Sequence, residues 1–149
     1  MGYTLRSSEP SIDRALDVIH KVVARYIDGR VVKGVSSDIN PKRPFCHIRT
    51  DNGKNESVKL LDLKALFFVK DLVGDAKRED GDTLKTGDPR QPGARHIEVE
   101  FGDGERVVGL TVGYPPQGPF FYMLPADNQS NNVRILVNQA AITRMTDGR

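Results

Sequence analysis

Apolar and polar residues alternate along two similar stretches of this chain, with the period of two that is typical of a β-strand. In Val22–Tyr26 and in Ile97–Phe101 the first, third and fifth residues are all apolar. Successive side chains of a strand point to opposite faces of its sheet, so each stretch is predicted to bury one face. The dipeptide Asp-Gly follows shortly after both stretches and predicts a hairpin with a two-residue type I′ turn.

The two stretches belong to a longer internal repeat. Shifting the sequence by 75 positions aligns residues 22–69 with residues 97–144 without a gap. Ten positions are then identical, whereas average composition would give about three. We interpret the match as a tandem duplication rather than as two unrelated hairpins that share turn residues. In the first copy the repeated residues are Asp28, Gly29, Val32, Gly34, Pro41, Pro44, Phe45, Val58, Leu61 and Ala65.

Each copy is predicted to contain five short strands, a number that suits a small β-barrel. Gly34 and Gly109 lie inside the second strand of each copy, where a missing side chain indicates a bend or a close approach of two backbones. The predicted strands are 22–26, 30–36, 45–49, 58–61 and 65–69, followed by 97–101, 105–111, 120–124, 133–137 and 140–145.

One helix and one linker are predicted outside the repeat. The apolar residues of Ser11–His20 are spaced as on one face of a helix. Residues 71–95 are polar and contain several glycines and prolines, which is typical of a solvated linker. We therefore divide the chain into residues 1–70 with the helix and the first barrel, the linker 71–95, and residues 96–149 with the second barrel.

Composition limits the class of protein. The 149 residues are 38% hydrophobic and 28% charged, with a formal net charge of +2, which favours a folded core over disorder. No apolar run is long enough to span a membrane, and the first residues lack the apolar segment of a secretory signal. The one cysteine, Cys46, excludes an internal disulfide and a multi-cysteine zinc site. These features predict a soluble, cytoplasmic protein.

The repeated hairpin resembles the first motif of the Sm-like (LSm) proteins. The resemblance implies an all-β fold of two tandem Sm-like five-stranded barrels, preceded by one N-terminal α-helix. The layout also resembles an uncharacterised bacterial family with two such repeats. The residues that carry the likeness are Val22, Tyr26, Asp28, Gly29, Arg30, Val32 and Gly34, repeated as Ile97, Phe101, Asp103, Gly104, Glu105, Val107 and Gly109.

The same resemblance bears on partners. Sm-like proteins pair the fourth strand of one barrel with the fifth strand of the next. The resemblance therefore implies either that the two linked barrels pair with each other or that several chains form a homo-oligomer through edge strands. Many Sm-like proteins bind RNA through a second motif with an Arg-Gly step between these strands. The corresponding turns are Leu61–Lys64 and Val137–Gln139, and neither contains Arg-Gly. RNA binding would therefore depend on other residues.

Candidates for catalysis or metal binding are few. His20 lies on the predicted helix, His47 on a predicted strand and His96 at the end of the linker, and none recurs in the other copy. Cys46 is expected to be a small buried apolar residue rather than a nucleophile. We therefore predict that the chain is not an enzyme and that it uses no cofactor or metal.

Charge differs between the two copies and supports a functional hypothesis. Residues 22–69 contain nine Lys/Arg and five acidic residues, whereas residues 97–144 contain three and five. We predict a binding or scaffolding protein that holds RNA or another polyanion on the first barrel, with cations on phosphates and a ring stacked on bases. The alternatives are a protein-interaction or self-assembly module that uses barrel edge strands, and a sensor of a small molecule or nucleotide. The candidate binding residues are Lys42, Arg43, His47 and Arg49, with Phe45 as a second candidate for stacking.

Overall fold

The computed structural model describes residues 18–73, 80–81, 90 and 93–147, and these form an all-β protein with ten antiparallel strands. The strands are β1 (His20–Tyr26), β2 (Val31–Ser36), β3 (Phe45–Arg49), β4 (Asn55–Lys59), β5 (Leu63–Val69), β6 (Arg95–Phe101), β7 (Arg106–Thr111), β8 (Phe120–Pro125), β9 (Asn132–Asn138) and β10 (Ile142–Asp147). They form one open sheet in the order β10-β6-β7-β8-β9-β5-β1-β2-β3-β4.

The two halves of this sheet repeat the same strand order. The first half reads β5-β1-β2-β3-β4 and the second reads β10-β6-β7-β8-β9. The first hairpin of each half also has the same register, because Val22 pairs with Gly34 and Ile97 pairs with Gly109. The internal repeat in the sequence therefore corresponds to a repeat in strand topology.

The gapless alignment of the two copies is wrong beyond the third strand. Ile48 pairs with Glu56, eight positions on, whereas Met123 pairs with Ile135, twelve positions on. The second copy thus has four extra residues between its third and fourth strands. Short 3-10 helices then follow at Leu60–Asp62 and at Gln139–Ala141, 79 positions apart rather than 75.

This change of spacing shifts the predicted strand boundaries. The fourth strand of the first copy was expected at 58–61 but occupies Asn55–Lys59. The last strand of the second copy was expected at 140–145 but occupies Ile142–Asp147. Val58 corresponds to Val137, which is likewise fully buried, and not to the half-exposed Val133.

Both Asp-Gly dipeptides form hairpin turns, but the turns are not of type I′. The amide of Gly29 donates to the carbonyl oxygen of Tyr26, and the amide of Tyr26 donates to the carbonyl oxygen of Arg30. Gly29 has a φ of +98°, and Gly104 has a φ of +91° in the equivalent turn. This pattern is that of a three-residue loop that ends on a left-handed glycine.

Gly34 and Gly109 allow the close backbone approach that their position indicates. A Cβ at Gly34 would overlap the backbone carbonyl of Arg49 on β3. A Cβ at Gly109 would overlap the carbonyl of Leu124 on β8 in the same way. The second strand of each half can therefore lie against the third only where a side chain is missing.

The sheet has two apolar cores, and its central strands contribute to both. In β5, Leu66 and Phe68 point into the first core, whereas Phe67 and Val69 point into the second. All seven residues of β5 are buried as a result. The predicted alternation is thus confirmed at Val22–Tyr26, with one exception: Val23 on the other face is also buried, because it packs in the second core.

An ion-pair cluster also joins the two halves. Lys64 on β5 is 8% exposed and its Nζ lies 2.6 Å from Asp103 Oδ2 in the hairpin of the second half. Glu105 in the same hairpin is a second partner. Burial lowers the pKa of Lys64, but the hydrogen bonds that its ammonium donates to Asp103 and Glu105 outweigh this effect and raise the pKa overall.

The predicted N-terminal helix is wrong at its C-terminal end. His20 lies in β1, where it pairs with Ser36, and residues 18 and 19 have no helical structure. The period of the apolar residues could not locate this boundary because the strand begins directly after Ile19. Residues 11–17 of the predicted helix lie outside the described residues. Within the described part of the chain, no helix is long and apolar enough to cross a membrane.

Candidate functional site

The strand register groups the cations of the first half on one face. Val35 pairs with both Lys21 and Arg49, so the three side chains project from the same side of the sheet. The intervening residues point into the first core, and we call the opposite side of β1–β4 the outer face. Its exposed cations are Lys21, Arg25, Lys33, Arg49 and Lys59, and none of the outward positions on these four strands is acidic.

His47 also lies on the outer face, and Asp38 holds its imidazole. The backbone amide of His47 donates to Asp38 Oδ1 at 2.9 Å, and its Nδ1 lies 2.7 Å from Asp38 Oδ2. Ser36 Oγ donates to the same carboxylate at 3.0 Å. Burial raises the pKa of Asp38, but these hydrogen bonds outweigh it and lower the pKa overall.

This hydrogen bond determines which ring nitrogen is available. An ionised carboxylate can only accept hydrogen bonds, so Nδ1 of His47 must carry the hydrogen. Nε2 is then the ring atom left for another partner. A groove of about 380 Å³ adjoins the ring, and its lining includes Ile19, Asp38, His47, Arg49 and Asn55.

The structure brings two of the four candidate residues together. His47 and Arg49 occupy alternate positions on β3 and line the same groove. Lys42 and Arg43 are exposed in the loop before β3, where Asn40 accepts hydrogen bonds from both of their backbone amides. They lie near the Phe45 end of β3, whereas Arg49 lies at the other end. The candidate cations therefore extend along the strand and do not converge on one point.

Several residues of this face are not evident from the sequence. Nothing in the sequence links Asp38 to His47, because nine residues and a loop separate them. The predicted fourth strand has Lys59 near its start, whereas Lys59 ends β4 and pairs with Phe45. The alternation that predicted the buried face of β1 would have indicated Lys21 and Arg25 on the opposite face.

The second half lacks the basic surface. Tyr122 stands where the first half has His47, and Leu124 stands where it has Arg49. Tyr122 packs against the first core together with Phe120. The outer side of the second half is therefore partly used for packing, and its chemistry does not match that of the first.

In the part of the chain that the structure describes, neither Cys46 nor His20 is placed for reactive chemistry. Burial raises the pKa of Cys46 to about 11, so its thiol is protonated at neutral pH and is a poor nucleophile. His20 packs edge-on against Phe68, and burial together with the charge of Arg134 lowers its pKa. Within the described residues, no group of three or more His, Cys, Asp or Glu side chains is arranged to hold a metal ion.

Fold and surface together define a duplicated all-β protein in which the outward positions on β1–β4 hold exposed cations and no acidic residue. The chain belongs to a family of unknown function (DUF6982), whose model matches residues 18–147. No curated protein and no solved structure gives a match. The matched range runs from before β1 to the end of β10, so the family model describes the duplicated sheet as a whole.

Proposed function

We propose that this protein is a non-enzymatic binding module that holds nucleic acid on the outer face of its first half. The observation that carries the proposal is that the outward positions of β1–β4 hold five exposed cations and no acidic residue. Neighbouring segments bring acidic side chains to a groove that includes Arg25 and Lys33, so the proposal depends chiefly on Arg49 and Lys59. A phosphate backbone that binds such a face releases its condensed counterions, and this release favours binding at low salt. Lys42 and Arg43 are also exposed, in the loop that leads to the start of β3.

We also propose that each half is a Sm-like barrel. The shared strand order, the hairpin at Asp-Gly and the 3-10 helix between the fourth and fifth strands support this assignment. The pairing of β9 with β5 also supports it. β9 is the fourth strand of the second half and β5 is the fifth strand of the first, and Sm-like barrels join each other through these two strands. Neither 3-10 helix contains Arg-Gly. The proposed surface on β1–β4 is therefore separate from the turn that carries that step in Sm-like proteins.

The salt dependence of binding tests the proposed function. Fluorescence anisotropy of a labelled single-stranded oligonucleotide would be recorded from low to moderate KCl. We expect the affinity to fall linearly on logarithmic axes, with a slope of about 0.7 for each phosphate contact. The variant Arg49→Gln/Lys59→Gln should weaken binding and reduce this slope by about 1.4. Lys42→Ala/Arg43→Ala should act in the same direction.

A matched control removes the same charge from the other half. Arg106→Gln/Arg144→Gln neutralises two exposed arginines that pair with Glu98 and Glu100 in the second half. We expect this variant to bind with nearly the wild-type slope. Binding that does not depend on salt, or an equal loss in both double variants, would refute the assignment to the first half.

Self-association through the end strands is the second candidate function. Within the chain, the fourth strand of the second half, β9, pairs with the fifth strand of the first half, β5. The remaining fourth strand, β4, and the remaining fifth strand, β10, are the two ends of the sheet, and each has one unpaired edge. β4 of one molecule could therefore pair with β10 of another in the same way. The side chains predict that β4 and β10 would pair more weakly than β9 and β5 do. Glu56 and Ser57 on β4 stand where β9 has Ile135 and Leu136, and Thr146 on β10 stands where β5 has Phe67.

The polar side chains on β4 and β10 make self-association the weaker of the two candidate functions. Edge pairing would form backbone hydrogen bonds but would bury little of the apolar area that stabilises the internal junction. Light scattering after size exclusion distinguishes the two candidates. A mass near 16.5 kDa at working concentration is the expected result, whereas multiples of this mass would favour assembly.

A further inference from the structure

Two flat rings and a cation form a row on β3. Phe45, His47 and Arg49 occupy its three outward positions, between the buried residues Cys46 and Ile48. Alternate residues of a strand are about 6.7 Å apart along its axis. Phe45 is 46% exposed and the His47 side chain is 55% exposed, so both rings are open to a ligand.

The neighbouring strand leaves this row uncovered. Lys59 lies beside Phe45, Ser57 beside His47 and Asn55 beside Arg49. Ser57 is too small to cover the imidazole ring. β4 is also the last strand of the sheet, so a long ligand could continue past it without meeting another strand.

Asp38 prepares the His47 ring for stacking. It bonds both the backbone amide and Nδ1 of His47, which fixes the ring relative to the strand. A ring that is already held loses little conformational freedom when a base packs on it. Asp38 is thus a positioning residue, because it acts through His47.

The spacing of the row selects the form of nucleic acid. Stacked bases of a duplex rise by about 3.4 Å, which is half the distance between alternate residues of a strand. Bases that lie on neighbouring rings of this row must therefore be separated from each other. Only a single strand can spread its bases in this way without breaking base pairs.

We propose that the row Phe45–His47–Arg49 is a stacking platform for consecutive unpaired bases of a single-stranded nucleic acid. Bases lie on the rings of Phe45 and His47, while Arg49 and Lys59 contact the phosphates on either side. The inference rests on the proposed function and deepens it, because it specifies which form of nucleic acid the basic face selects.

The variant Phe45→Ala tests the platform without changing charge. The probes are a single-stranded 12-mer and the blunt duplex of the same sequence. We expect Phe45→Ala to weaken single-strand binding by about 5- to 150-fold, which is the loss typical of one base–aromatic stack. The salt slope and the affinity for the duplex should not change. Val31→Ala is the matched control, because Val31 is an exposed apolar residue on the same face at 44%.

Base fluorescence gives a readout that is independent of affinity. The chain contains no tryptophan, so a 2-aminopurine placed in the 12-mer can be excited selectively. Binding separates this base from its neighbours, which quench it in the free strand, so we expect its emission to rise with the wild type and to rise less with Phe45→Ala. His47→Ala should have a similar effect. Asp38→Ala should have a smaller effect, and the double variant Asp38→Ala/His47→Phe should reverse it.

The outcomes separate the platform from the proposed function. Salt-dependent binding that is equal for the 12-mer and the duplex, and that Phe45→Ala leaves unchanged, would overturn the platform while the proposed function stands. Binding of neither probe at low salt would overturn both. Preference for the single strand that is lost with Phe45→Ala and kept with Val31→Ala would support both.

Discussion

Phe67 offers the strongest test of how the two halves share their cores. It belongs to β5 of the first half, is 5% exposed, and packs in the second core. Val23 and Ile135 lie beside it on the two neighbouring strands, and both are buried. The site cannot collapse readily around a smaller side chain, so Phe67→Ala should cost about 3–5 kcal/mol of unfolding free energy. That loss is a large part of the 5–15 kcal/mol that is typical of a folded domain.

Urea titration followed by circular dichroism and by hydrogen exchange measures this loss. The shared strands predict one cooperative transition whose midpoint shifts to lower urea, with equal losses of protection in β1 and β6. Phe45→Ala is the control, because it makes the same chemical change at a half-exposed site and should cost less than about 1 kcal/mol. A biphasic curve, or loss of protection in only one half, would refute the account of two cores joined through β5.

Three further predictions concern the backbone, the ion pairs and pH. Gly34→Ala should lower the free energy of unfolding by about 1–3 kcal/mol and so shift the urea midpoint downwards, because its Cβ would overlap the carbonyl of Arg49; wild-type stability would contradict this packing. Lys64→Met should change the free energy of unfolding by less than about 1 kcal/mol. The double variant Asp103→Asn/Glu105→Gln should instead cost about 3–5 kcal/mol, because it leaves the buried ammonium of Lys64 without these two partners. The reverse ranking in urea titrations would refute this. The hydrogen bond that Asp103 accepts from Lys64 lowers the pKa of Asp103, and the hydrogen bonds that Asp38 accepts lower the pKa of Asp38. Both carboxylates therefore stabilise the fold above the unfolded pKa of about 4, and the melting temperature should fall as the pH drops through their folded pKa values; a melting temperature that stays constant down to pH 2 would contradict it.

The sequence could predict the local elements because their signals are local. Alternation within Val22–Tyr26 identified a strand and its buried face, and the Asp-Gly dipeptide identified the hairpin that follows. Gly34 indicated a close backbone approach because a glycine inside a strand has few other causes. The turn type was wrong, since an Asp-Gly pair fits both a two-residue turn and a three-residue loop with its glycine left-handed.

The features that depend on distant contacts could not be predicted in this way. Val23 is buried although its equivalent is Glu98, because only the first copy has a second core on that side. The four-residue insertion stayed hidden, since chance identities such as Ala65 with Ala140 kept the gapless alignment plausible. The contact of Asp38 with His47 depends on how the β2–β3 loop folds back, and no periodicity records it.

Chemical-shift mapping tests the central claim most directly. A protein of 16.5 kDa gives a resolved amide spectrum. An unlabelled single-stranded oligonucleotide is titrated into the labelled protein at low salt, and the amide shifts are followed. The account predicts that the shifts cluster on β1–β4, around Arg49 and Lys59, and that the equivalent strands of the second half remain unperturbed around Leu124. An absence of shifts, or shifts distributed equally over both halves, would contradict it.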